Sequence, residues 1–188
     1  MRPTPGSVRE ASSPAREPRV VFLVGFMGAG KTCVGQALGR LLGWEFEDLD
    51  DRIQAQEGQA IAQIFRTAGE AAFRVAEHEA LRDLLSNLGT SRPRVVALGG
   101  GAFVQAENAA VLEAAGFPIV FLDAPVEELW RRCQQQELER PLRRDEPQFR
   151  ELYAVRRPYY LRAGLRVETG GKAIETIAAE VAARLRLR

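Results

Sequence analysis

The sequence predicts an α/β protein, a three-layer αβα sandwich around a five-stranded parallel sheet. Three observations predict it. From residue 19 onward, short apolar runs alternate with amphipathic helical stretches, the pattern of parallel strands joined by right-handed crossovers. The strongest runs are continuous rather than alternating, as strands covered on both faces require. A glycine-rich loop separates the first run from the first helical stretch, at the strand end where such sheets bind ligands.

Each element follows from its pattern. Val20–Val24 is an unbroken apolar strand, and Val34, Leu38 and Leu41 then share one helical face. Trp44–Asp48 reads as a weaker strand. Phe73, Ala76, Ala80 and Leu84 line one face of a later helix. Val95–Leu98 and Ile119–Leu122 are two further continuous strands. Asp123 is placed to cap a helix starting near Pro125, with Glu127 and Glu128 in its first turn, where the dipole favours acids. Pro158 is expected to kink or restart a helix. Leu165–Val167 is a short last strand, and Ile174, Ile177, Val181 and Leu185 form the apolar face of the last helix.

The organisation is a tail followed by one domain, 19–188. Residues 1–18 carry Pro3, Pro5, Pro14 and Pro18 with glycine and serine, too little apolar surface to offset the entropy of ordering. A transit peptide is the weaker alternative, because Glu10 and Glu17 do not suit one.

Composition excludes several classes. With 188 residues, 46% of them hydrophobic, the chain can bury one domain core. It has 26 basic and 25 acidic side chains, a balance that argues against a polybasic nucleic-acid or membrane binder. Only Lys31 and Lys172 are lysines, so 24 of the 26 basic residues are arginine. One histidine, His78, and two distant cysteines, Cys33 and Cys133, build neither a Cys/His zinc site nor a disulfide scaffold. A reducing cytoplasm is the expected compartment. No stretch approaches the roughly 18 apolar residues of a membrane span. A monomer is expected, since no heptad or unexplained apolar face stands out.

Gly25-Phe26-Met27-Gly28-Ala29-Gly30-Lys31-Thr32 matches the phosphate-binding loop G-x-x-x-x-G-K-[ST]. Its glycines let backbone amides converge on phosphate oxygens, and the helix that follows adds its dipole. Lys31 is placed to reach the β- and γ-phosphates, and the Thr32 hydroxyl to ligate Mg²⁺. A chain that elsewhere prefers arginine keeps lysine here. Asp48-Leu49-Asp50-Asp51 follows the second strand. Asp48 and Asp50 are two apart, so at an extended strand end they point the same way. One carboxylate can help hold hydrated Mg²⁺ while another accepts a proton from a substrate hydroxyl. The alternative is an acidic cluster at a helix start, to which Asp51 is assigned. Gly99-Gly100-Gly101, at the end of the third strand, permits close approach of a ligand, or makes a tight strand-to-helix turn.

Three arginines lie in informative contexts. Arg74 stands three residues before Glu77, which alone reads as a surface ion pair. Arg140-Pro141-Leu142 lies in a charged segment without apolar periodicity, either a mobile lid, about residues 137–147, or a solvated connector. Arg156-Arg157-Pro158-Tyr159-Tyr160 is the third context.

Taken together, these residues resemble the shikimate kinase family, a P-loop, nucleoside-monophosphate-kinase-like group. The phosphate loop, Asp48-Leu49-Asp50, Gly69-Glu70 with Phe73-Arg74, Gly99-Gly100-Gly101-Ala102, Arg140-Pro141-Leu142 and Arg156-x-Pro158-x-Tyr160 are each similar to a family motif, in order, over about residues 19–187. The resemblance implies ATP-dependent phosphorylation of the 3-hydroxyl of shikimate. It implies that Gly28, Ala29, Gly30, Lys31, Thr32 and Cys33 hold ATP, joined by Arg132 against adenine and by Arg140 from the lid. Thr32 and Asp48 serve Mg²⁺, the latter through water. Asp50 meets the reacting hydroxyl, Arg74 and Arg156 bind the substrate carboxylate, and Gly99, Gly100 and Gly101 line the pocket. Lys31, Asp50 and Arg140 form the catalytic set. Cys33, where the family often has Ser or Thr, is expected to pack as a small apolar residue, and His78 is expected to be structural. The competing readings are another kinase of this fold, such as a gluconate kinase, and a non-catalytic nucleotide-binding module. The substrate-side acids and arginines argue against the module.

Overall fold

The computed structural model describes residues 19–88, 92–135 and 145–188. The expected tail, Arg140 and most of the expected lid lie outside the described residues. Five parallel strands run β1 (Val20–Val24), β2 (Glu45–Asp48), β3 (Arg94–Ala97), β4 (Ile119–Asp123) and β5 (Leu165–Glu168), in the order β2-β3-β1-β4-β5. The helices are α1 (Lys31–Leu42), α2 (Leu49–Glu57), α3 (Ile61–Thr67), α4 (Gly69–Asn87), α5 (Ala106–Ala115), α6 (Val126–Gln134), α7 (Glu146–Tyr160) and α8 (Ile174–Leu185).

The core is the sheet's central strands and what covers them. Every residue of β1 and β4 is buried, as the unbroken apolar runs require. α1 and α8 pack together on one face, and α4, with α2, α3 and α5 around it, belongs to the other layer. The expected face of α4 is buried at Phe73, Ala76, Ala80 and Leu84. Two expected core positions are not: Leu41 and Ile174 stand exposed in the end turns of α1 and α8, beyond the reach of the sheet.

Two local expectations change. Asp123 does not cap a helix. It closes β4, and Pro125 occupies the cap position of α6. Its buried carboxylate instead receives Arg157 at 2.8 Å, Arg166 at 2.9 Å and the Tyr153 hydroxyl at 3.2 Å. Charge-assisted bonds from two guanidiniums outweigh a single cap bond. Pro158 does not restart a helix. It sits in the last turn of α7, which ends at Tyr160.

Candidate active site

The carboxyl ends of β1, β2 and β3 bring the sequence-predicted residues together. Residues 25–30 form the loop between β1 and α1. Gly28 and Gly30 have φ of 81° and 87°, the left-handed region that favours glycine. A methyl group on Gly28 would also lie 2.7 Å from the Leu129 carbonyl of α6. The loop is thus held close against the following layer. Phe26 is buried edge-on against Phe149 and Tyr153 of α7, which ties the loop to the helix that carries Arg156.

Lys31 opens α1, and its ammonium donates to the Gly25 carbonyl at 2.9 Å and the Phe26 carbonyl at 3.1 Å. It therefore lies along the concave side of the loop. The Thr32 hydroxyl donates to Asp48 Oδ2 at 2.8 Å, joining the start of α1 to the end of β2. Asp48 Oδ1 accepts the Asp50 amide at 3.1 Å and caps α2. Asp48 and Asp50 do not share an extended strand, because β2 ends at Asp48 and Asp50 is already helical. The helix-start reading of the acidic cluster therefore holds, with Asp48 as the cap and Asp50 and Asp51 in the first turn. Cys33 does not pack as an apolar residue: it is exposed on α1 beside the loop.

The triple glycine is the meeting point. It leaves β3 and leads into a short 3₁₀ helix, Ala102–Val104. A methyl group on Gly99 would lie 2.7 Å from Asp50 Oδ1 and 3.1 Å from Glu77 Oε1. One on Gly100 would lie 3.7 Å from the Gly25 carbonyl and from the Met27 amide, both in the phosphate loop. One on Gly101 would lie 2.5 Å from Arg74 Nη1. The turn lies between the phosphate loop and a cluster of acid and arginine side chains, too close to that cluster at Gly99 and Gly101 for a side chain of its own.

Arg74 and Glu77 are not a surface pair. Glu77 is fully buried, and its Oε2 receives Arg74 Nη1 at 2.8 Å. Glu70 takes the other terminal nitrogen at 2.9 Å. Burial pushes the Glu77 carboxyl above its ordinary range, Asp50 adds to the rise, and Arg74 and Arg156 oppose it. Its Oε1 has no hydrogen-bond partner, nor has Arg74 Nε. Arg156, also buried, donates to the Gly100 carbonyl at 3.4 Å. Glu77 is the residue that sequence reasoning underrated. A helical spacing shows that it shares a face with Arg74, but not that this face lies under the glycine turn.

Arg132 stands beside the phosphate loop. It donates to the Gly28 carbonyl at 3.3 Å, the Thr169 carbonyl at 3.1 Å and Glu128. These bonds engage the edge of the guanidinium. His78 pairs through Nδ1 with Asn108 Oδ1 at 2.7 Å, a link between α4 and α5 that matches its expected structural role.

A parallel sheet in this order, with a lysine-bearing phosphate loop after its central strand and an acid–arginine cluster beside it, defines a P-loop phosphotransferase of the nucleoside-monophosphate-kinase kind. The sequence model of the shikimate kinase family matches residues 27–186. The shikimate kinase of Persephonella marina is 37% identical over 169 residues, which is 89% of this chain and 99% of that one. The shikimate kinase of Geobacter metallireducens is 40% identical over 166 residues, covering 87% and 89%. The solved shikimate kinase from Acinetobacter baumannii, in complex with shikimate, superposes with a TM-score of 0.82 at 36% identity and covers 91% of this chain and 94% of its own. A gluconokinase from Sinorhizobium meliloti, 18% identical with a TM-score of 0.57, shares the fold alone. The chain belongs to the shikimate kinase family.

Proposed function

We propose that this chain transfers the γ-phosphoryl group of ATP to the 3-hydroxyl of shikimate, giving shikimate 3-phosphate and ADP on the route to aromatic amino acids. Family membership carries the activity, and the geometry supports the assignment of roles. The observation that carries the roles is the placement of the triple-glycine turn. It lies against the phosphate loop on one side and against Asp50, Glu77 and Arg74 on the other.

Backbone amides of Gly28 to Thr32 and the Lys31 ammonium hold the phosphates. The Thr32 hydroxyl and Asp48 carboxylate, 2.8 Å apart, are hard oxygen donors suited to Mg²⁺. The ion, when bound, neutralises phosphate charge. Asp50 accepts the proton of the attacking hydroxyl. Arg74 and Arg156 receive the substrate carboxylate, which guanidinium can do in bidentate fashion. Gly99 to Gly101 form the wall between the two substrates. Arg132, its edge hydrogen-bonded, presents a flat face to adenine, and exposed Cys33 flanks the phosphates. Arg140 is assigned the closing of the site and the stabilisation of transferring charge on its motif alone. Little covalent work falls to the protein: it positions two reactants and balances charge.

We place the enzyme in the cytoplasm as a monomer without nucleic-acid or membrane partners. In support, no described helix is long and apolar enough to cross a membrane, and neither Cys33 nor Cys133 is in a disulfide. A panel of acceptors with Mg²⁺-ATP tests the substrate. Turnover with shikimate and phosphate on its 3-oxygen, read by phosphorus NMR, is expected. Strict preference for gluconate would overturn the proposal.

A further inference from the structure

Tyr160 ends α7 one helical turn after Arg156, on the same face. It is fully buried. Its ring lies on Phe121 of β4, with centroids 5.3 Å apart and planes inclined by 32°. Its hydroxyl donates to the Gly100 carbonyl. Arg156 donates to the same oxygen at 3.4 Å. Both lone pairs of that carbonyl are then in use.

This has a geometric consequence. A peptide bond is planar, and none in the described residues is cis. Holding the Gly100 oxygen toward α7 therefore sets the Gly100–Gly101 plane and turns the Gly101 amide to the opposite edge. Glycine has few conformational limits of its own, so three in a row need an outside anchor. The Ala102 amide holds the Gly99 oxygen at 3.0 Å and the Val104 amide the Gly101 oxygen at 3.1 Å; the Gly100 oxygen between them is held by the pair of donors from α7. The anchor also seats the guanidinium of Arg156.

We infer that Tyr160 is a positioning residue for the acceptor substrate: its hydroxyl sets the plane of the triple-glycine turn and the seat of Arg156, and so the affinity for a carboxylate-bearing polyol. Burial raises the phenol well above its ordinary range, which keeps the donor proton in place. The inference rests on the reading of Arg156 as a carboxylate ligand.

Tyr160→Phe removes the hydroxyl and keeps the ring on Phe121. Steady-state kinetics on Tyr160→Phe, Arg156→Ala and the double variant test the inference, with thermal melts alongside. Tyr160→Phe is expected to raise the KM for shikimate about five- to tenfold, the size of one hydrogen bond. The KM for ATP and kcat should stay within about twofold, because the phosphate loop has its own supports. In the Arg156→Ala background, the same change should add little, since both act on one carboxylate seat. If Arg156→Ala raises the KM for shikimate and Tyr160→Phe does not, the positioning role is wrong while the carboxylate reading stands. If Arg156→Ala leaves that KM unchanged, the carboxylate reading itself fails. A parallel rise in both KM values with a lower Tm would reduce Tyr160 to a packing residue and overturn the inference. Two penalties that multiply in full in the double variant would overturn it too.

Discussion

Asp50 and Glu77 show how two acids so close together come to differ in role. Asp50 sits in the first turn of α2, beside Gly99, and meets the reacting hydroxyl in the proposed chemistry. Asp50→Asn removes the proton acceptor and keeps the shape. It should lower kcat about 100-fold or more with little change in the KM for ATP. An unchanged kcat would take Asp50 out of the chemistry. Glu77 is buried behind it, and its charge serves Arg74. Because its carboxyl is raised above 4.5 by burial, the folded chain holds a proton there, between 4.5 and the raised value, that the unfolded chain has released. That contribution to stability is fully present below 4.5 and is lost as pH rises through the raised value. Wild type should therefore gain stability relative to Glu77→Gln as pH falls through the raised value toward 4.5, as read in paired thermal melts. A constant difference would contradict the burial argument. The two acids also differ in how legible they are. Asp50 stands in a short motif after a strand, whereas the role of Glu77 depends on Gly99, which is distant in sequence.

At the scale of elements, legibility follows coverage. β1, β3 and β4 lie inside the sheet and read as unbroken apolar runs. β2 and β5 are its edges, half exposed, and read weakly. β2 is held by means that no periodicity reveals: Arg94 of β3 binds Glu47 at 2.6 Å and Glu45 at 3.3 Å across the strand pair. It is also held by close approach to α1. A methyl group on Gly35 would run into the Phe46 ring and lie 3.3 Å from Leu23. Gly35→Ala forces that ring aside, an overpacking of about 1–3 kcal/mol. The Tm should fall by about 3–10 °C, and an unchanged Tm would show that β2 yields freely. Asp123 failed as a cap for a related reason. A capping argument looks only a few residues along the chain, while Arg157 and Arg166 reach this carboxylate from α7 and β5.

For the whole molecule, the fold was legible because glycine and lysine mark the phosphate loop in one contiguous stretch, next to a strand that had to be central. The partition of the site was less so. The proposed substrate site draws on α2, α4, α7 and the turn after β3, and only the fold brings Asp50, Arg74, Arg156 and Gly99–Gly101 to one place. The phosphate loop and the acid–arginine cluster meet at that glycine turn, and in the proposed chemistry the phosphoryl group passes there between reactants held by different elements. The central claim is that transfer to shikimate runs through this loop and this pocket. A coupled ADP-release assay with Mg²⁺-ATP, with and without shikimate, on wild type and Lys31→Met tests it most directly. The account predicts ADP release that depends on shikimate in wild type and is lost in Lys31→Met while the variant keeps its fold. Shikimate-independent release, or no release from a folded and ATP-binding wild type, would contradict it.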